Sequence, residues 1–312
     1  MRTLTVTTVA AAVAAALAAL AGCGNVSVGR HQEDRSYAAP AAVTALKIKT
    51  NGSRVEVTAS DSPGITVRER LRWSNDKNKP EARHVTEGGT LTLSSKCARQ
   101  VIGFAACGVS YRVRVPRGVP VEIDNRDGAI VASGLTGAVN LHSDNGSVTA
   151  NDLRASTVTI SSLDGSVRVS GRATSANLRS DNGSIDASGL TADLLKAGSR
   201  DGRIEVGGRV VFADLDTDNG SIDARGLTAD RITAKTRDGG IMLSLDAPPS
   251  NVQATTDNGS IRLLLPSGEG YAIDASTDNG AKRIDPAVHQ DSQSKRRIKL
   301  STRDGSIAVA PK

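Results

Sequence analysis

The chain has 312 residues, with 39 Lys and Arg against 33 Asp and Glu, and a formal net charge of +6 spread along its length. Only 2% of its residues are aromatic, which excludes a core of large rings and favours small and β-branched residues in thin stacked sheets over a helical bundle. A charge so mild points to solubility, and without aromatics interleaved among basic residues nucleic acid is not an expected partner.

Residues 1–22 read as an export leader. Arg2 gives a positive start, an uncharged Ala-rich run follows, and small residues close it. A run of this length also fits a membrane span, but the small residues at its end favour cleavage. Leu20-Ala21-Gly22-Cys23 resembles the bacterial lipobox, in which the cysteine sulfur receives a diacylglyceryl group and the cysteine becomes the mature N-terminus. Two or more acyl chains anchor stably where one does not. On this reading Cys23 is the lipidation site of an exported lipoprotein on the outer face of the cell membrane. That leaves Cys97 and Cys107, ten residues apart, to pair as a disulfide in an oxidising compartment. There is no CxxC, and His31, His84, His142 and His289 are scattered, so neither a metal nor a cofactor is expected.

Residues 23–42 follow as the lipidated cysteine and a flexible tether, since they show no apolar period. From 43 to 118 an antiparallel β region is expected. Leu46 and Ile48, then Val55 and Val57, flank Asn51-Gly52, a strong hairpin signal. Ile65-Thr66-Val67, Leu91-Thr92-Leu93 and Tyr111 to Val115 are further strand candidates, with a loop near Asn75 to Pro80. Trp73, the single tryptophan, is read as a packing residue, with a ligand platform as the alternative.

Residues 119–312 are repeats. Asp/Asn-Gly turns recur at Gly128, Gly146, Gly165, Gly183, Gly202, Gly220, Gly239, Gly259, Gly280 and Gly305, at steps of 18–21 residues until a last step of 25. Two positions after each glycine stands Ile or Val, from Ile130 and Val148 to Ile261 and Ile307, with Lys282 as the exception. Four positions after stands another apolar residue, and the positions between are mainly polar. That is a period of two with one buried face. Apolar pairs such as Val139 and Leu141 or Val158 and Ile160 precede the turns, so each repeat carries two short strands. About 18 residues cannot bury enough apolar surface alone, and stacked neighbours must complete the core.

The residue before the glycine alternates: Asp127, Asn145, Asp164, Asn182, Asp201, Asn219, Asp238, Asn258. Coils of 18–19 residues place each Asp on an Asn, whereas coils of 37 would stack Asp on Asp. The expected fold is therefore an all-β solenoid of about ten 18–19-residue coils beside the N-terminal antiparallel β region. A meander of hairpins is the competing geometry. Three positions before the glycine, Ser143, Ser162, Ser180, Ser199, Thr217, Thr236, Thr256, Thr277 and Thr302 predict a hydroxyl ladder along one corner.

The lipobox, the early Asn-Gly, the two cysteines before Tyr111-Arg112-Val113-Arg114-Val115-Pro116 and the Asp-Gly/Asn-Gly-Ser-Ile/Val turns together resemble the bacterial "putative adhesin" or toastrack family, in its actinobacterial lipoprotein form. The resemblance spans residues 43–312 and implies a β-solenoid at the cell envelope. It assigns no functional residue.

No catalytic residue is expected. His142-Ser143-Asp144 holds the residue types of a triad, but adjacent residues do not converge into a relay. Asp-Asn-Gly matches neither the EF-hand nor the nine-residue calcium repeat. The local feature best suited to an anionic partner is the basic cluster Lys282, Arg283, Lys295, Arg296, Arg297 and Lys299, with a solvated loop face as the plainer reading. The expected role is a non-enzymatic, lipid-anchored binding scaffold for a cell-wall polymer or protein. The alternative is an envelope-signalling or structural accessory protein that binds a membrane partner.

Overall fold

The computed structural model describes residues 31–40, 42–74, 76–97 and 107–312. The leader and Cys23 lie outside the described residues. One 23-stranded sheet winds through the chain. Before the turn glycines, the register Val139–Val158–Ala176–Leu195–Ala213–Ile232–Val252 runs parallel. After them, Ile130–Val148–Val167–Ile185–Ile204–Ile222–Ile241–Ile261 does the same. Successive members of both rows are 18–20 residues apart. A hairpin meander would pair its strands antiparallel, so the fold is a β-solenoid with one repeat per coil.

The interior is filled by these rows. Ile130, Val148, Val167, Ile185, Ile204, Ile222, Ile241, Ile261 and Ile307 are all fully buried. A third inward row, Leu135, Leu153, Leu190, Leu227, Leu245 and Leu265, closes the second corner. There the backbone enters the left-handed region at Gly134, Asp152, Gly171, Gly208 and Gly226. The core, with the residues packed on it, runs from Tyr37 to Val309, so the chain from residue 24 onward contains all of it.

The N-terminal region departs from the expected antiparallel unit. Ala45–Thr50 and Val55–Ser60 do not pair with each other. Ala45–Thr50 lies parallel between Thr90–Lys96 and Val121–Asn125, and Val55–Ser60 lies between Cys107–Pro116 and Ile130–Ser133. Asn51-Gly52-Ser53 is thus a coil corner, but with its glycine one place early: Ser53 stands in register with Gly128, and Gly52 has a φ of 153°. Asn-Gly serves a hairpin and a coil corner equally; the neighbouring coil decides between them. Antiparallel pairing does occur, but as two additions at the end of the array. Glu81–Glu87 pairs with Thr90–Lys96, and His31–Ala38 adds to Thr66–Trp73, which pairs with Cys107–Pro116. Residues 31–38, expected in the tether, are therefore a strand.

The two ends share an unexpected order. The first coil, Ala45–Ser60, is tucked beneath a later one. At the other end Arg297–Asp304 lies between Asn251–Asn258 and Ala272–Asn279, and Ile307–Pro311 lies between Ile261–Leu265 and Lys282–Ile284. The last coil in sequence is the penultimate coil in space. Lys282, in register with Ile307, therefore belongs to the outermost coil, where it is exposed to solvent.

Candidate functional site

The glycine corner is the most regular surface of the molecule. Its glycines are needed for close approach, since none has a left-handed φ. A Cβ on Gly146, Gly183, Gly202 or Gly239 would stand 2.0–2.2 Å from the carbonyl oxygen of the corner glycine in the coil before. The predicted hydroxyl ladder is present beside this column. Ser180 Oγ accepts from the Gly183 N–H at 3.0 Å and donates to the Gly165 carbonyl at 3.0 Å. Ser162 and Thr217 repeat both bonds. Each hydroxyl thus ties its own turn to the preceding coil in a buried setting, where an unpaired group would cost about 1–3 kcal/mol.

Outside the glycines the side chains pair between coils. The amides of Asn145, Asn182 and Asn219 donate to Asp127, Asp164 and Asp201, and Asn258 donates to Asp238. Arg200 meets Asp181 at 3.4 Å, and Arg237 meets Asp218 at 3.2 Å. The tucked last coil preserves the alternation. Asp304 stands between Asn258 and Asn279 and accepts from Asn279 at 2.8 Å. Arg303 stands one residue before Asp304 and meets Asp257 at 3.7 Å. Stacking in chain order would instead have placed Asp257 beside Asp278. We expect Asn182→Asp, which sets a carboxylate on Asp164, to cost about 1 kcal/mol. The loss should appear in the denaturation midpoint at low salt and shrink at high salt; a salt-independent loss would count against a charge ladder.

The sequence-predicted residues fall as follows. Cys97 and Cys107 form the expected disulfide, with Cα atoms 5.9 Å apart. Replacing both by Ser should lower stability by about 2–3 kcal/mol, read as a shift in the unfolding midpoint that a reductant reproduces in the parent chain. The basic cluster is not gathered into one patch. Arg297 and Lys299 share an exposed strand face, whereas Lys282 and Arg283 lie on the Lys282–Ile284 strand, which pairs elsewhere. Arg296 is held by Glu269 at 3.2 Å, and Lys295 is exposed between strands. His142 bonds Ser161 at 2.8 Å and Asp144 at 3.1 Å, while Ser143 Oγ takes the Gly146 N–H, so no relay forms among the three. Trp73 is buried in the core, with His31 stacked on its ring.

Sequence reasoning missed a polar cluster within the N-terminal end. Glu69 is buried on Thr66–Trp73 and bonds His84 at 2.5 Å; Tyr111 is buried nearby and donates to the Ser94 carbonyl. Burial, with the Glu69 charge second, pushes the Tyr111 hydroxyl up from its ordinary pKa. The clue lay in Val67, Glu69, Leu71 and Trp73, where an acid occupies an inward position of a period-two run.

Among the described residues no group of three or more acidic, His or Cys side chains is placed to hold a metal. No helix among them is long and apolar enough to cross a membrane. A family model described as Toastrack DUF4097 matches residues 43–211 and again 207–310. Among solved structures, a "putative adhesin" from Bacteroides fragilis NCTC 9343 aligns at 16% identity and a TM-score of 0.45, covering 91% of this chain and 99% of that one. A "putative lipid binding protein" from Parabacteroides distasonis ATCC 8503 aligns at 17% identity and a TM-score of 0.45, covering 89% and 96%. No curated protein is matched.

Proposed function

We propose, taking as premise that the chain belongs to the Toastrack DUF4097 family, that it is a non-enzymatic, adhesin-like lipoprotein held on the outer face of the cell membrane through Cys23. Its solenoid is a binding scaffold for a cell-wall polymer or an extracellular protein. The observation that carries this reading is how the repeat spends its side chains. The apolar residues fill the interior in rows that run from coil to coil. The Ser, Thr, Asp and Asn of the corner are bonded to neighbouring coils. What remains to meet a partner is the outer surface of the coils, which suits broad recognition better than catalysis in an enclosed site.

Two measurements test the reading separately. A Cys23→Ala chain should leave the membrane fraction; full retention would refute the anchor. Cross-linking on intact cells should recover a wall polymer or surface protein joined to outward coil positions. Recovery of a membrane sensor alone would replace the scaffold role with a signalling one.

A further inference from the structure

The outer face of the sheet at the N-terminal end holds a concentration of arginine that the repeats lack. Thr66–Trp73 alternates strictly. Val67, Glu69, Leu71 and Trp73 point inward, and Arg68, Arg70 and Arg72 point outward. Its antiparallel neighbour Cys107–Pro116 turns Arg112 and Arg114 to the same side, and Arg54 stands at the edge of the same shallow groove. Six guanidinium groups thus share one face. Their counter-charges are few. Arg70 pairs with Asp34 at 2.8 Å, and Glu56 serves both Arg112 at 3.5 Å and Arg54 at 3.8 Å. The Arg70 hydrogen bond holds the Asp34 carboxyl below its ordinary pKa, and the Arg72 charge adds a smaller pull. Among the described residues Arg68, Arg72 and Arg114 make no ion pair.

Register makes the excess more pointed. Arg68 lies directly opposite Arg112 across the antiparallel ladder. Like charges in that position, about 5 Å apart at Cβ, destabilise a sheet. The Asp/Asn row beside the corner glycines avoids such a pairing, but the chain admits others, since Arg154 lies opposite Arg172 and Asp186, Glu205 and Asp223 stack in register. Arg68 and Arg112 differ from those pairs in standing among six guanidinium groups with only Asp34 and Glu56, among the described residues, as ion-pair partners. That surplus of positive charge on one exposed face points to an anion supplied from outside. Arginine in place of lysine suits oxyanions, because the planar fork binds phosphate in two places.

Position selects the source. The His31–Ala38 strand runs along this face, with Ser36 opposite Arg68 and Asp34 opposite Arg70. His31 is eight residues beyond Cys23 (31 − 23), a span of about 28 Å at full extension. A lipid on Cys23 would therefore hold this face within reach of the bilayer. Resting on the anchoring proposed above, we propose that the face formed by Arg54, Arg68, Arg70, Arg72, Arg112 and Arg114 docks on the phosphate headgroups of anionic lipids. It lays the N-terminal end of the solenoid on the membrane.

The test uses the chain from residue 24 onward, which lacks the lipid but keeps the whole core, with vesicles of phosphatidylglycerol or of phosphatidylcholine alone. Sedimentation should show binding to the anionic vesicles only, lost at high salt. Each arginine near an anionic surface contributes about fivefold in affinity, so Arg68→Ser, Arg72→Ser and Arg114→Ser together should weaken binding about 100-fold. None of the three breaks an internal ion pair, and Arg68→Ser relieves the repulsion with Arg112, so the melting temperature should hold or rise. A Lys282→Ser, Arg283→Ser, Arg297→Ser, Lys299→Ser chain should bind as the parent does. Equal binding to both vesicle types, or unchanged binding by the triple variant, would overturn the proposal. So would capture by soluble polyphosphate but not by vesicles, which would make the occupant a wall-type polyanion. Failure here leaves the Cys23→Ala fractionation unaffected, so the anchor and the headgroup face are judged independently.

Discussion

A chain ending at Arg296 should lose its C-terminal coils as a block. The missing segment carries Ile298, Leu300, Ile307 and Val309, all fully buried, whose burial contributes about 6–12 kcal/mol at 1.5–3 kcal/mol each. More is lost than those contacts. The segment is the layer between the Asn251–Leu265 coil and the Ala272–Ile284 coil, so Ala272–Ile284 would keep no parallel partner. Nearest-neighbour coupling then confines the damage. Amide exchange should be fast from about residue 251 to 296, with protection retained across the coils from Val121 to Thr236. Retained protection across Ala272–Asn279 would show that the outer coil docks without the tucked one.

The other large effect should come from one methyl group. A Cβ on Gly202 would stand 2.0 Å from the Gly183 carbonyl oxygen and 2.5 Å from its carbon. Both are backbone atoms, and both belong to a ladder fixed on either side. The coils cannot separate locally without breaking the Ser199 and Thr217 bonds at the same corner. Gly202→Ala should therefore cost more than about 3 kcal/mol, beyond the usual range for an inserted methylene. Gly240 is the control. It follows a corner glycine, and its Cβ would meet nothing closer than 3.5 Å, so Gly240→Ala should change the unfolding midpoint little. Similar losses for both would mean that close approach is not why the corner is glycine.

The repeat region was readable because its signals are redundant. Ile185, Ala187, Leu178, Ser180 and Asn182 each point to one coil length, and the structure places each where its period requires. The N-terminal region was misread because Asn51-Gly52 is locally ambiguous, and what settles it is a neighbouring strand more than forty residues away. The tucked last coil was legible in principle. Asp257-Asn258 is followed by Asp278-Asn279, two repeats of one type in succession, before Arg303-Asp304. An alternation that fails in sequence but must hold between neighbours dictates that the third stands between the other two. The arginine face was hidden for a different reason. Its residues come from strands far apart in the chain, and only the register of Thr66–Trp73 on Cys107–Pro116 brings Arg68 to Arg112.

The tucked coils also set a timetable. The chain is made from its N-terminus, so Ala45–Ser60 appears first but acquires both neighbours only after residue 133 has followed. From there each coil can add to the one before it as it emerges. At the far end that rule breaks. Ala272–Ile284 arrives ahead of the layer it must rest on, and Arg297–Pro311 has to enter beside Asn251–Leu265 across a separation of 46 residues. The gap held for it closes last. The slow phase of refolding should therefore belong to the final sixteen residues, and a nascent solenoid still tethered by its C-terminus would be complete everywhere except at that end.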